Sequence, residues 1–561
     1  MQRSLIHRLT QPTTTISVLL LVLGAIGILL SSPKWLVPVA PWLSPAFFLC
    51  YVQYTTLRRK WLWLFVAIVP ASAVATLDVM PFPWFVLVFV VLLDGLKNIV
   101  LYGIHRWLTR NQQQFIWTLV FPSLWTVREF VETQGDIGTF ASVANTQYSF
   151  SWLIQLASVT GIWGITFLLY WFAAVLVWAI GKYAARQPFA RGLLVYGSTL
   201  AVVLSFGIYR YYSNETASAK TLTVGGVTVP NLHVLERLYT DATGKSVQID
   251  PKASPASAVL QEANRGLIAF IEDPAPARFQ LGYQAIQQQQ DSLFSLSERA
   301  VARGANLVLW SEGSALLPKS GEPALIQRGQ AFARRYRVYL LMAMGTILPG
   351  KLTSDRLFLE NKTVLVDPGG RVINTFYKNH PVPMVERSLP GDGRVPAIQT
   401  PYGTIAPSIC YDAEHIGTMR QLGWKNIGLL LLPSGDWYGI APYHSYMAVF
   451  RAVENGCSLA RQVSGGLSIF TDYRGNVLAS NDFFSGNDRL TVVNMPVANV
   501  PTLYTRFGDW LAWLCVSLLV VFTGKALFDR INRDRTMHRH RTDKSLTDDE
   551  LRTVSVPKQN L

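Results

Sequence analysis

Three segments of this chain end in residues whose types suit covalent acyl transfer. Glu312 stands in Trp310-Ser-Glu312, behind the apolar run Asn306–Trp310. Lys378 stands in Phe376-Tyr-Lys378-Asn-His380, and Cys410 in Ser408-Ile-Cys410-Tyr-Asp412. A thiol attacks as its thiolate, and an ordinary cysteine has a pKa near 8.5, so Cys410 needs a base or a positive neighbour. A glutamate can take the thiol proton, and a lysine can stabilise both thiolate and oxyanion. Each residue also has a plainer reading. A cysteine at a strand end is commonly a small core hydrophobe, the glutamate would cap the next helix, and the lysine would be a solvated hairpin end. Of the other thiols, Cys457 follows a helix in Glu-Asn-Gly-Cys without an evident base and reads as core, while Cys50 and Cys515 lie in apolar runs.

The elements that must position these residues fall into two materials. The 561 residues are 50% hydrophobic and 15% charged, with a net charge of +15. Soluble chains carry roughly 25% charged residues, so a set of wholly soluble domains is excluded, as are disorder and collagen. Four cysteines are too few for a disulfide scaffold. The apolar excess sits in runs near the length of about 20 residues that a bilayer span needs. Seven fall within 1–210, at about 13–30, 35–54, 61–77, 82–103, 115–132, 160–181 and 192–210; an eighth lies at 508–528. The fifth carries Arg128, Glu129 and Glu132, and in the fourth Asp94 and Lys97 stand close enough to pair.

Basic residues mark alternate loops: Arg3 and Arg8; Arg58, Arg59 and Lys60; Arg106 and Arg110; Lys182, Arg186 and Arg191; then Arg530, Arg533, Arg535, Arg539 and Arg541 in the tail 529–561. The positive-inside rule therefore expects both termini in the cytoplasm and residues 211–507 on the outer face. The first run is expected to stay as a span, being longer than a signal-peptide core and lacking an A-x-A site. Trp84, Tyr148, Trp152, Tyr504 and Trp510 fit interfacial anchoring.

Within 211–507 the apolar runs are short and divided by turn signals. Tyr283–Arg303 has a helical period. Asn306–Trp310, Tyr339–Met344, Thr404–Cys410, Ile427–Leu432, Ala460–Asp472 and Asn476–Ala479 read as strands. Lys362–Tyr377 reads as a hairpin, and helices are expected near Glu414–Leu422 and over Tyr443–Asn455. Strands alternating with helices predict an α/β domain, and functional groups in such folds gather past the strand carboxyl ends. The stretch 233–281 is polar and proline-rich and reads as an irregular surface insertion. No metal site emerges: His380 and His444 stand isolated in the sequence, and Gly369-Gly370 reads as a hairpin turn rather than a phosphate loop. The basic tail suits anionic lipid headgroups better than nucleic acid.

The flanks of the three reactive residues resemble the carbon–nitrogen hydrolase (nitrilase) superfamily. The layout of seven spans, this domain and one span resembles the bacterial apolipoprotein N-acyltransferase family. Lys378-Asn-His-Pro-Val-Pro-Met-Val-Glu386 matches that family's lysine with a second glutamate eight positions on. Leu432-Pro-Ser-Gly-Asp436-Trp437-Tyr-Gly439 matches its Trp-containing loop. His444-Ser-Tyr-Met-Ala448 with Arg451-Ala-Val-Glu-Asn-Gly456 matches a following helix, and Gln155–Gly164 a membrane motif. Ser311 stands where the family usually has proline, Asp412 where it has glutamate, and Val229-Pro-Asn231 in place of Gln-Gly-Asn.

The resemblance implies an αββα nitrilase-like sandwich outside the cytoplasm and a Glu312–Lys378–Cys410 triad. It also implies site-shaping roles for Glu386, Tyr411, Asp412 and Trp437. Under it, no cofactor is needed, the donor is a membrane phospholipid, and the acceptor is the amine of a diacylglyceryl-cysteine apolipoprotein in a bacterial inner membrane. Two alternatives use the same triad: a membrane-anchored amidase, and an N-acyltransferase with another amine acceptor.

Overall fold

The structure, a computed structural model, describes residues 9–10, 12–213, 219–486 and 488–553, with side chains as far as Arg533. Arg3, Arg8, Arg535, Arg539 and Arg541, named above as orientation signals, lie outside the described side chains.

A helix occupies each of the eight expected segments. Four are long and apolar enough to cross a membrane by length and composition: Trp84–Thr109, Trp163–Ala184, Ala190–Tyr212 and the Trp510–Arg533 part of a longer helix. Thr14–Leu29 and Lys60–Thr76 are apolar but shorter. Ala40–Tyr54 spans 15 residues, and the fifth segment divides into a 3-10 turn, Phe115–Leu119, and a 13-residue helix, Val120–Glu132. Trp163–Ala184 is the hub: Trp163, Ile165, Leu169, Ala173 and Val175 are all buried. The outer helices instead expose Phe89, Leu194, Val202, Val520 and Val521. Apolar area of that extent in water would mark an aggregation or interaction surface.

Asp94 does not pair with Lys97. Arg128 takes Asp94, and Lys97 Nζ reaches Glu132 at 2.8 Å. The ion pairs thus join Trp84–Thr109 to Val120–Glu132 rather than closing within one helix. Glu129 is buried and accepts from Ser142 Oγ, Thr166 Oγ1 and the Val143 N–H. Tyr504, expected at an interface, is instead buried, its hydroxyl 2.9 Å from Asp509.

Among the described residues thirteen strands build two sheets face to face: β1 Thr221–Val227, β2 Leu307–Trp310, β3 Ala315–Pro318, β4 Tyr339–Ile347, β5 Leu359–Val366, β6 Val372–Tyr377, β7 Ile398–Thr400, β8 Gly403–Pro407, β9 Leu429–Gly435, β10 Ser458–Ser464, β11 Leu467–Thr471, β12 Val477–Asp482 and β13 Leu490–Pro496. One sheet runs β13-β1-β2-β4-β5-β6, with β3 beside β4; the other runs β12-β11-β10-β9-β8-β7. The central strands are parallel and covered on both faces, which is why they read as unbroken apolar runs such as Leu429–Leu432. Leu222, Val224, Leu307, Leu309, Leu341, Ile405, Leu431 and Phe470 form the layer between the sheets. Helices Gln280–Ala302 and Glu322–Tyr336 cover the first sheet, and Tyr443–Asn455 covers the second.

The stretch 233–281 is not irregular. It holds two helices, Leu232–Thr243 and Ala258–Glu272, and buries Val234, Leu238, Ala263, Phe270 and Ile271 in the core of the first sheet. Prolines stand only outside the helices, Pro251 and Pro255 in the link and Pro274 and Pro276 after the second helix, and they masked the helical period in the sequence. The helix expected near Glu414–Leu422 is three short turns, Cys410–Glu414, Ile416–Met419 and Gln421–Trp424.

Candidate active site

Strand direction explains how distant residues meet. β2 and β4 are parallel, β5 runs antiparallel to β4, and β6 antiparallel to β5. β6 therefore runs with β2, and Lys378 leaves the sheet at the same end as Glu312. In the facing sheet β8 and β9 are parallel and bring Cys410 and Gly435 to their own carboxyl ends.

The first contact is between Lys378 and Glu312, with Nζ 2.8 Å from Oε1. Lys378 is wholly buried and its ammonium also touches Glu386 Oε1 at 2.5 Å. Burial alone would lower its pKa, but the carboxylates of Glu312 and Glu386 outweigh it and hold the lysine well above its ordinary value. Burial raises Glu386. Glu312 is fixed by two further donors, Asn361 Nδ2 at 2.7 Å on Oε1 and the Gly435 N–H at 2.7 Å on Oε2. Gly435 then turns its carbonyl to Cys410 Sγ at 3.5 Å. One glycine backbone thus bridges the carboxylate and the thiol. A Cβ there would lie 3.3 Å from Glu312 Oε2 and press on the carboxylate.

Cys410 opens the 3-10 turn Cys410–Glu414 with φ 44°, a left-handed conformation that costs a non-glycine residue energy. The turn is held by Asp412, whose carboxylate accepts from the Ile409 N–H at 3.0 Å, Ser408 Oγ at 3.2 Å and, across the site, the His380 N–H at 2.8 Å. Asp412 therefore ties the cysteine turn to the segment after Lys378; burial pushes its pKa up to about 7. The thiol is buried against Ile409 and Phe376. Burial, then the Glu312 charge, raise its pKa well above the ordinary value, with Lys378 pulling the other way. Burial thus favours the neutral thiol. Cys457 is also buried and is raised to about 12 by burial, with no such neighbour.

Tyr411 and Trp437 reach outward from the domain. Tyr411 donates its hydroxyl to the carbonyls of Asp136 and Ile137, each at 3.0 Å, in the loop after Val120–Glu132. Trp437 Nε1 donates to the Asp78 carbonyl at 3.0 Å, in the loop after Lys60–Thr76. Both residues clamp the helical half onto the mouth of the site.

A second charged group flanks the thiol, and nothing in the spacing announced it. His444 is not isolated: Nδ1 lies 2.7 Å from Asp436 Oδ1 and Nε2 3.4 Å from Glu414 Oε1. Arg461 reaches Asp436 at 3.0 Å and also touches Ser445. Burial opposes ionisation of Asp436, but Arg461 and His444 hold its pKa down to about 2. Burial also opposes the imidazolium of His444, and Asp436 raises it above its ordinary value. Cys410, Asp436 and His444 offer ligand atoms within 4.8 Å of one another, a spacing a metal could use. The Arg461 guanidinium on Asp436 is a permanent positive charge in that cluster and opposes a bound cation. The sequence reading missed Asn361 and Arg461; each stands among other polar residues of its strand, in LENKTVLV and SLARQVS, and nothing in the spacing singles it out. His380, also not isolated, stacks on His415 with ring centres 3.6 Å apart.

Family models match both halves of the chain. The description "Carbon-nitrogen hydrolase" matches residues 275–500, and "Apolipoprotein N-acyltransferase N-terminal domain" matches residues 23–175. The chain is similar to the apolipoprotein N-acyltransferase of Geobacter metallireducens, 25% identical over 73% of this chain and 74% of the relative. It is also similar to apolipoprotein N-acyltransferase 1 of Treponema denticola, 22% identical over 90% and 95% of the two chains. Among solved structures, an amidase from Nesterenkonia sp. aligns at 18% identity over 50% of this chain and 91% of that one, with a TM-score of 0.33. Matched along both its helical and its sandwich half, the chain resembles the apolipoprotein N-acyltransferases, with a carbon–nitrogen hydrolase domain as its second half.

Proposed function

We propose that this protein moves an acyl chain from a membrane phospholipid, through a thioester on Cys410, to the α-amine of a diacylglyceryl-cysteine at a lipoprotein N-terminus. The observation that carries the reading is the buried Glu312–Lys378 pair, joined to the Cys410 thiol through the Gly435 backbone. The names of the relatives support the acceptor class.

Glu312 takes the thiol proton as Cys410 Sγ attacks the ester carbonyl. The oxyanion forms beside the Lys378 ammonium and the backbone N–H that follows the nucleophile. Collapse expels lysophospholipid, whose alkoxide receives the proton from Glu312, and leaves the thioester. The acceptor amine attacks next and gives a proton to Glu312. The tetrahedral species expels the Cys410 thiolate, which is reprotonated, and the product is an amide. Kinetics are ping-pong.

Both substrates are anchored by acyl chains, at roughly 0.8 kcal/mol per buried CH₂, so the site must sit at the bilayer. In this reading all eight apolar segments form the membrane half. Both termini face the cytoplasm, 211–507 lie on the outer face, and the Tyr411 and Trp437 clamps keep the mouth at lipid level.

Intact mass of the purified protein tests this. A fatty-acyl adduct lost on hydroxylamine treatment, absent from Cys410→Ser and discharged by an amine-bearing lipopeptide, is expected. Discharge by water at the same rate without the amine would instead fit an amidase. Full cellular function of Cys410→Ser would remove the covalent route.

A further inference from the structure

The far end of the helical half carries a basic cavity that the chemistry at Cys410 does not use. Trp510–Arg533 starts beside the sandwich, where Trp510 Nε1 bonds the Val159 carbonyl and Asp509 accepts from Trp163 Nε1 at 2.8 Å. At about 1.5 Å per residue, its 24 residues carry the chain some 36 Å away, about the thickness of a bilayer core. Trp84–Thr109 also begins near the sandwich, just after the loop that receives Trp437, and ends at the same far level. Between the two helix ends lies a cavity of about 250 Å³.

Its walls include Arg110, Arg530 and Arg533, with Trp107, Asn111 and Gln112. Among the described residues no carboxylate lines it. Asp529, on the same helix, is already engaged, accepting from Gln112 Nε2 at 3.2 Å and facing Lys525 Nζ at 3.6 Å. Among the described residues neither Arg110 nor Arg530 has an ion-pair partner, and Arg533 Nε donates only to the Asp529 carbonyl. Three arginines lining one concavity put like charges together, and a phosphate satisfies such groups with charge-assisted, bidentate bonds. Orientation of a membrane protein needs basic residues near a span end, but it does not need them to share a cavity. Trp107 and Leu108 continue the lining as an amphipathic aromatic and an aliphatic side chain, the mixture found where headgroup meets acyl chain.

We propose that this cavity binds the phosphate of an anionic phospholipid headgroup in the leaflet opposite the carbon–nitrogen hydrolase domain. The bound lipid bridges Trp84–Thr109 to the final helix. It is neither acyl donor nor acceptor, because a bilayer's thickness separates it from Cys410.

Native mass spectrometry of the full-length, delipidated protein tests the site, with dioleoyl phosphatidylglycerol, dioleoyl phosphatidylcholine and inorganic phosphate as separate probes. The wild type should retain phosphatidylglycerol at least about tenfold better than phosphatidylcholine. R110Q/R530Q/R533Q should lose that preference, and R110K/R530K/R533K should keep part of it. Equal retention of the two lipids by the wild type would overturn the site. So would undiminished phosphatidylglycerol binding by the Gln variant. Arginine-dependent binding of inorganic phosphate without binding of phosphatidylglycerol would overturn the lipid as its source. Should the Gln variant fail to fold, the wild type decides: its preference must collapse at high salt, and persistence there counts against the proposal.

Discussion

At the scale of single residues, the candidate site is a set of proton holders with unequal surroundings. Glu312 is gripped by Lys378, Asn361 and the Gly435 N–H, so its position is fixed before any substrate arrives. Glu312→Gln keeps one carbonyl oxygen for Lys378 and Asn361, turns an amide N–H toward the Gly435 N–H, and removes the base. Thioester formation on Cys410 should fall by at least about a hundredfold, followed as adduct mass against time; near-normal acylation would exclude Glu312 as the base. Asp436 makes a separate, pH-linked contribution. Arg461 and His444 hold its folded pKa at about 2, below an ordinary aspartate near 3.9. Its stabilisation is therefore complete above about pH 4 and is lost as pH falls toward 2, in total about 2 kcal/mol. Melting temperature against pH should show a steep acid limb that flattens in Asp436→Asn. Glu312, Lys378 and Cys410 were legible as candidates in the sequence because each follows a recognisable strand. The Asp436–His444–Arg461 group was not, since its members sit on a loop, a helix and a strand that meet only after the second sheet and its covering helix pack.

At the scale of elements, the strands were easier to read than the helices. Double-sided burial turns a parallel strand into an uninterrupted apolar run, whereas Leu232–Thr243 and Ala258–Glu272 each bury one stripe and are parted by a proline-rich link. Pairing of Asp94 with Lys97 was a local inference, and it failed because Arg128 and Glu132 on the neighbouring helix offered each charge a better partner. The two helices of the 232–272 unit cross where Gly266 meets the backbone of Tyr239. A Cβ there would lie 2.3 Å from the Tyr239 nitrogen. Gly266→Val must push the helices apart, and overpacking of this kind costs about 1–3 kcal/mol. Limited proteolysis should find the 244–257 link cut faster in the variant, while Cys410 acylation persists; unchanged cleavage would mean the contact yields freely.

At the scale of the whole molecule, polar contacts join the halves, the Tyr411 and Trp437 clamps among them. Tyr411 spends its hydroxyl on two carbonyls of the helical half, so Tyr411→Phe leaves both without that donor. A loss of about 1–1.5 kcal/mol, or roughly tenfold, is expected in acylation from phospholipid micelles. Acylation by a water-soluble thioester should change far less. Equal losses with both donors would place Tyr411 in the chemistry rather than in docking. Hydropathy made the division into two halves legible. It gave no sign of the clamps, which use backbone carbonyls and carry no residue signature.

β13 adds an order of events to this architecture. It pairs antiparallel along the full length of β1, from Thr221↔Pro496 to Val227↔Leu490, although some 260 residues separate the two. Until residue 496 leaves the ribosome, β1 presents an open edge, and such edges recruit stray strands. Only 13 residues then remain before the last helix begins. A nascent chain must therefore hold the first sheet unfinished through about half of its synthesis. Any chaperone that guards the emerging domain is released at about the moment the final apolar helix is made.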